Sequence, residues 1–300
     1  MILTGDIHQL PAVCKACHDD VLKCPHQPTK WLMWPKFHVH TFTVNHRQSC
    51  PLQAPFVLLL NFLRLNKPST DQLNGVAFKL IRDRVLPSGQ IPNIGPDDVI
   101  IAPTNELVDQ YNASQVRKFH DPSKIVTLKA HDTYQKMHLL SEADQKRLKQ
   151  RLNNSSDLPS ELPLAVGCPV MITRNQKYMN LANGDIGIVV EVSENKLVIE
   201  TEIDGKLRRI TVGREYERVR VGNSSIERHM YPVRVAYART VHKTQGETIF
   251  GKLFIHVEGM ETPGEAYVAF SRPTSLDNVT ILPAGVNLTP EMFVPHVPQE

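Results

Sequence analysis

Val235-Ala236-Tyr237-Ala238-Arg239-Thr240-Val241-His242-Lys243-Thr244-Gln245-Gly246-Glu247-Thr248 is the stretch on which the reading of the fold turns. An apolar strand, Val233 to Ala238, runs into a turn dense with His, Lys, Thr and Gln and closed by Gly. Hydroxyl and ammonium groups in such a turn suit a nucleic-acid backbone. The Gln side chain and the Gly amide suit a nucleotide phosphate. Outward from it the signals alternate between strand and helix. Leu253 to Val257 reads as a strand, Gly264 to Phe270 as a helix and Val279 to Leu282 as another strand. Upstream, Val99 to Ala102 is a continuous apolar run, as expected of a strand buried on both faces, and Asn105 to Phe119 reads as the helix after it. Alternation of this kind predicts an α/β domain.

Between these halves the pattern changes. From Leu164 to Val221, short alternating strands are separated by the turns Asn183-Gly184-Asp185, Ser193-Glu194-Asn195 and Asp204-Gly205-Lys206, which predicts a small all-β module. Ser141-Glu142-Ala143-Asp144 has capping-box spacing ahead of a charged helix that should stop at Asn153-Asn154, and the polar stretch Ser155 to Pro163 reads as a boundary. Pro55 to Leu65 is apolar on most sides and predicts a buried helix, with a second helical pattern over Asp71 to Arg84. Val39 to Val44 reads as a strand, and the Pro-bearing tail after Pro283 as loose.

Composition narrows the classes. Three hundred residues allow two domains, and 41% hydrophobic with 22% charged residues is ordinary for a globular chain. The net charge of +3 neither argues for a nucleic-acid partner nor excludes one, since a groove needs only local positive charge. The longest apolar run, Phe56 to Leu60, is far short of the roughly 20 residues that span a bilayer, and no membrane partner is expected. Met1-Ile2-Leu3 runs straight into Thr4-Gly5-Asp6 and does not read as a secretory segment. Five Cys without framework spacing suit reduced thiols and an intracellular setting: nucleus or mitochondrion in a eukaryote, cytoplasm in a bacterium.

Three further stretches carry chemistry. Gly5-Asp6-Ile7-His8-Gln9-Leu10-Pro11-Ala12-Val13 follows an apolar stub, where Asp and Gln can face a phosphate or water. An ordinary strand-to-loop turn fits it equally. Asn45-His46-Arg47-Gln48 offers a guanidinium fork to a polyphosphate or to solvent. Ala266-Tyr267-Val268-Ala269-Phe270-Ser271-Arg272 is an apolar helix end that presents an Arg, either an arginine finger or a surface residue. Cys14, Cys17, Cys24 and His26 have zinc-like spacing, although free thiols in a loop are the preferred reading and no metal site is assigned.

Taken in order, these stretches resemble motifs III to VI of the superfamily 1 DNA helicases, in the Pif1/RecD-like group. Gly5 to Val13 resembles motif III, Asn45 to Gln48 motif IV, Ala238 to Thr248 motif V and Tyr267 to Arg272 motif VI. Ala102-Pro103-Thr104-Asn105 resembles the strand end that meets single-stranded DNA, and Val166 to Asn175 with Leu181 to Gly187 resembles the entry to an SH3-like insert. The resemblance implies a RecA-like parallel-sheet domain interrupted by a small SH3-like β-barrel. Residues 1–35 would be the remnant of a first motor domain, 36–160 and 231–285 the second motor domain, 161–230 the insert and 286–300 the tail.

By the same resemblance Gln9, Arg47 and Arg272 act in catalysis, and Asp6, Gln245, Gly246 and Glu247 border the nucleotide. Thr104, Asn105, Thr240, His242 and Lys243 face DNA. Lys206, Arg208, Arg209, Arg214 and Arg218 add basic charge or form a solvated β surface. ATP and Mg²⁺ are the implied cofactors and single-stranded DNA the implied partner, in replication, repair or recombination, with 5′→3′ polarity. The 300 residues contain no G-x-x-x-x-G-K-[ST] run and no Asp-Glu pair. The expectation is therefore the C-terminal motor part of a longer helicase, which needs a missing N-terminal motor domain and does not hydrolyse ATP alone. A non-catalytic DNA-binding module derived from such an enzyme is the alternative, and a half-motor completing an ATP site in trans a third.

Overall fold

The computed structural model describes Asp6, Gln9, Leu10, His38, His40, and residues 44–135, 138, 140–155, 158–221 and 224–296. The strand expected over Val39 to Val44 and the Cys14, Cys17, Cys24 and His26 group lie outside the described residues. Two compact units are present, one built from residues 1–108 with 238–300 and the other from 109–237. Residues 109–160 and 231–237, expected with the parallel-sheet domain, fall in the second unit.

The first unit holds a four-stranded parallel sheet. Its strands are β1 (Val99–Ala102), β12 (Ala238–Thr240), β13 (Leu253–His256) and β14 (Val279–Leu282), in the order β12-β1-β13-β14. Ile100, Ile101, Ala102, Leu253, Phe254, Ile255, Ile281 and Leu282 are all buried, which explains why β1, β13 and β14 read as unbroken apolar runs. Helix α1 (Ala54–Leu65) starts with Pro in its first turn and buries Phe56, Leu59, Leu60 and Leu63, an i, i+3, i+4, i+7 stripe. Phe62 is partly buried against the same core, whereas Leu58 and Leu65 are exposed, so α1 is buried on one side rather than on most sides.

The pattern over Asp71 to Arg84 resolves into two helices, α2 (Thr70–Asn74) and α3 (Val76–Arg82), broken at Gly75. Ser69 caps α2 by accepting from the Gln72 N–H at 3.2 Å while the Gln72 side chain accepts from the Ser69 N–H at 2.9 Å. Arg82 then donates to the carbonyls of Leu73 and Gly75, satisfying the helix end that Gly75 frees. The tail is not loose over its described part. Phe293 is 1% exposed, packs edge-on to Phe78 at 6.0 Å and stacks on Phe270 at 6.1 Å, and the Val294 carbonyl accepts from the Gly264 N–H at 2.8 Å.

The second unit is built on antiparallel strands. β5 (Pro169–Ile172), β6 (Ile186–Ser193), β7 (Lys196–Ile203), β8 (Lys206–Thr211) and β11 (Val233–Val235) form a sheet in the order β11-β5-β6-β7-β8. Asp204 and Gly205 both take positive φ, 52° and 72°, in the two-residue turn joining β7 and β8, which is why Asp-Gly stands there. A second sheet, in the order β3-β10-β9, pairs β3 (His131–Gln135), β9 (Glu215–Val221) and β10 (Ser224–Met230), while β2 (Val126–Lys129) pairs with β4 (Glu161–Leu164). Helix α4 (Asn105–Phe119) follows β1, and α5 (Glu142–Ser155) contributes Leu148 and Leu152 to a small core with Ile226.

The strand expected over Val233 to Ala238 is two strands in different sheets. Val233 to Val235 pair antiparallel with β5, whereas Ala238 to Thr240 pair parallel with β1. Truncation of Phe293 to Ala should cost about 3–5 kcal/mol, the usual loss for a buried aromatic. Urea denaturation would check this, and an unchanged midpoint would show that the tail adds nothing to the core.

Candidate functional site

Asn45 sets the local geometry around Arg47. Its side-chain carbonyl accepts from the N–H of Arg47 at 3.0 Å and of Gln48 at 3.1 Å, closing an Asx turn. Gln48, buried, returns a bond to this turn by accepting from the Asn45 amide at 2.9 Å. It also donates to the carbonyls of Ser271 at 3.3 Å and Pro273 at 2.5 Å. The turn is thereby tied to the end of α6 (Glu265–Phe270). Arg47 donates from Nε to Thr248 Oγ1 at 2.9 Å and from Nη1 to the Ser271 carbonyl at 3.0 Å.

Arg272 is 1% exposed, so it is not presented at the surface as the helix-end pattern suggested. Its guanidinium is held by oxygens without full charge: Val268 O at 2.8 Å, Glu247 O at 3.2 Å, Thr244 O at 3.4 Å and Ser271 Oγ at 2.7 Å. Burial lowers its pKa to about 10, and the neighbouring Arg47 charge adds to that shift. It stays protonated at neutral pH. Burial lowers the Arg47 pKa as well. Among the described residues neither guanidinium has a carboxylate within ion-pair distance.

Beside this pair, Asp6 accepts from Arg64 at 3.1 Å and from the Tyr267 hydroxyl at 3.1 Å. Burial, reinforced by Asp6, pushes the Tyr267 pKa up to about 12. Gln9 is half-buried, with its backbone carbonyl 3.4 Å from the position a Cβ on Gly264 would take. Gln245 and Gly246 are exposed on the turn after the 3-10 helix Val241–Thr244, and Gly246 takes a φ of 90° that only Gly adopts cheaply. Glu247 turns its carboxylate onto Arg239 at 2.6 Å.

The register Ala102↔Thr240 brings the second group of candidates together, because β1 and β12 are parallel neighbours and end side by side. Thr104, Asn105, His242 and Lys243 are exposed on the segments leaving those strand ends. Thr104 Oγ1 also accepts from the Leu107 N–H at 3.3 Å, in the first turn of α4. His242 Nδ1 lies 4.0 Å from the Glu265 carboxylate, which is 3% exposed. Burial lowers the His242 pKa and raises that of Glu265, so both lean towards their neutral forms.

Of the basic residues in the second unit, Arg209 pairs with Glu200 at 3.0 Å, Arg218 pairs with Glu227, and Arg214 lies 4.8 Å over the Tyr231 ring. Lys206 and Arg208 are exposed. Among the described residues no group of three or more His, Cys, Asp or Glu is placed to hold a metal ion, and no helix is long and apolar enough to cross a membrane. Sequence reasoning missed Asn45, Gln48, Arg239 and Glu265. Arg239 carried a signal, as the one charged residue between Val235 and Val241.

Polar groups gathered at the strand ends of a parallel α/β sheet suit phosphate binding, and known proteins similar to this chain are Pif1 helicases. No family model matches the chain. Pif1 of Campylobacter jejuni, an ATP-dependent DNA helicase, is 22% identical over 300 aligned residues, covering 94% of this chain and 62% of that protein. A structure of two coordinating Pif1 helicases at forked double-stranded DNA matches with a TM-score of 0.71 and 25% identity, over 97% of this chain and 62% of that one. Bacteroides Pif1 bound to single-stranded DNA gives 0.71 and 24%, over 97% and 63%. The chain is similar to Pif1 helicases over nearly its whole length and spans about six tenths of the length of these relatives.

Gln48→Ala would leave the Pro273 carbonyl without its donor and free the Arg47 turn. The expected loss is about 1–3 kcal/mol. Urea denaturation measures it, and a change within about 0.5 kcal/mol would show that the turn holds itself without Gln48.

Proposed function

We propose that this chain is the C-terminal motor portion of an ATP-dependent DNA helicase acting on single-stranded DNA. The observation that carries the reading is the convergence of Arg47 and Arg272 on Ser271 with no carboxylate between them. A buried and a half-buried guanidinium with no carboxylate in ion-pair contact among the described residues form a site for a multiply charged anion, and a donor set of this sign suits phosphates rather than a divalent cation. In this reading Arg47 and Arg272 stabilise charge on the transferring phosphoryl group. Gln9 reports the γ-phosphate, and Asp6, Gln245, Gly246 and Glu247 border the nucleotide.

Thr104, Asn105, Thr240, His242 and Lys243 meet the DNA backbone at the strand ends of β1 and β12. The first unit is then a RecA-like motor domain, and the five-stranded sheet of the second an SH3-like insert. ATP would supply the phosphoryl group and Mg²⁺ its charge neutralisation. Their remaining ligands belong to a first motor domain provided in cis or in trans, because no G-x-x-x-x-G-K-[ST] run occurs in these 300 residues. Polarity of 5′→3′ follows the resemblance.

The test has two arms. Titrated with sodium tripolyphosphate at low salt, the chain should bind in the millimolar range or tighter, and Arg47→Ala should weaken binding by about tenfold or more, the worth of a charged hydrogen bond. Against a fluorescent oligo-dT, Lys243→Ala should weaken affinity and reduce the log–log salt slope by about 0.7, the value for one single-strand phosphate contact. ATP with Mg²⁺ should not be turned over by this chain alone. Absence of tripolyphosphate binding, or binding unaffected by Arg47→Ala, would overturn the reading of the arginine pair.

A further inference from the structure

Arg239 stands where packing alone gives no reason for a charge. It lies on the edge strand β12, opposite Ile101 in the register, with Ala236, Tyr237, Ala238 and Val241 all buried around it in the sequence. Arg239 is itself 7% exposed, and among the described residues its buried Nε has no hydrogen-bond partner. It pairs with Glu247, at 2.6 Å. Burying a guanidinium in this way costs free energy that packing does not return.

Glu247 is the informative partner. Its backbone carbonyl accepts from Arg272 Nη1 at 3.2 Å, so the residue already lies against a guanidinium that has no ion-pair contact among the described residues. A carboxylate on that residue is the nearest natural partner for Arg272, and carboxylate and phosphate compete for the same planar fork of donors. Held on the same segment of chain, it would compete as a tethered ligand, at a high effective concentration. In the structure its ion-pair contact is with Arg239, at 2.6 Å, and among the described residues it makes none with Arg272.

We propose that Arg239 is a positioning residue that sequesters the Glu247 carboxylate and so keeps Arg47 and Arg272 open to a polyphosphate. The inference rests on the anion-site reading above and adds to it a residue that touches neither guanidinium. Without Arg239 the carboxylate swings onto Arg272 and cancels half of the charge that the site offers. Lys at position 239 would still hold it, through a point charge rather than a fork.

The experiment is a set of sodium tripolyphosphate titrations on the full chain, with thermal melting followed on each variant. Arg239→Gln should weaken binding by about tenfold, as expected when one of two charges is neutralised. Glu247→Gln should tighten it by about threefold, because a negative charge beside the anion is removed. The double variant should bind at least as tightly as the wild type, whereas Arg239→Lys should stay within about threefold of it. A purely structural role for Arg239 gives a double variant as weak as Arg239→Gln, and that result overturns the proposal. Should Arg239→Gln melt below the working temperature, the Glu247→Gln titration decides alone, weaker or unchanged binding counting against the proposal. Failure of the wild type to bind, or indifference to Arg47→Ala, sinks the underlying reading and this inference with it. A wild type that binds, together with an Arg239→Gln variant that binds equally well, sinks this inference only.

Discussion

A guanidinium taken fully out of water must find acceptors for its donors, and Arg272 finds them in Val268, Thr244, Glu247 and Ser271. Val268 and Ser271 lie on α6 and at its end, while Glu247 and Thr244 lie on the turn after β12, 25 and 28 positions from Arg272. Each bond therefore fixes one piece of backbone relative to another. Ser271 extends the arrangement, since its carbonyl accepts from both Arg47 and Gln48. Satisfying one buried cation thus sets the positions of the α6 end, the turn over Thr244 to Glu247 and the Asx turn at Asn45.

The acceptors around Arg272 are dipoles, and none carries a full charge. They solvate the guanidinium without neutralising it, and its pKa, lowered to about 10, leaves it charged at neutral pH. A carboxylate in their place would neutralise the guanidinium. The nearby carboxylates are engaged elsewhere, Asp6 with Arg64 and Tyr267, and Glu247 with Arg239. The 3-10 helix Val241–Thr244 connects this group to the exposed His242 and Lys243. Thr244, wholly buried, accepts from Arg272 through its carbonyl, so the turn that carries the second polar group is anchored by the first.

How much was legible from sequence differed from element to element. β1 and β13 declared themselves because burial on both faces demands apolar residues without alternation, and α1 because its Pro and its Leu/Phe stripe are local signals. Val233 to Ala238 misled for the same reason. A continuous apolar run does not record which sheet each residue joins, and the run is shared between two. The tail misled because its Pro residues signal irregular backbone, which is not the same as weak packing: Phe293 is anchored by two aromatic neighbours. Arg47 and Arg272 were legible as residue types at strand and helix ends. Gln48 was not, because what makes it matter is a bond to Pro273, 225 positions away.

The sequence by itself determined the α/β alternation, the β-rich interruption, the turn residues and the inventory of cations and amides at the strand ends. These depend on local periodicity and on chemistry carried by single residues. Only the tertiary structure decided that Arg272 is buried rather than presented, that β1 and β12 end side by side, and that Glu247 faces Arg239 rather than Arg272. Each of these depends on which distant groups share a low-dielectric space. That is settled by the strand order and by the cost of burying charge without a partner, and neither is written in any one stretch of the chain.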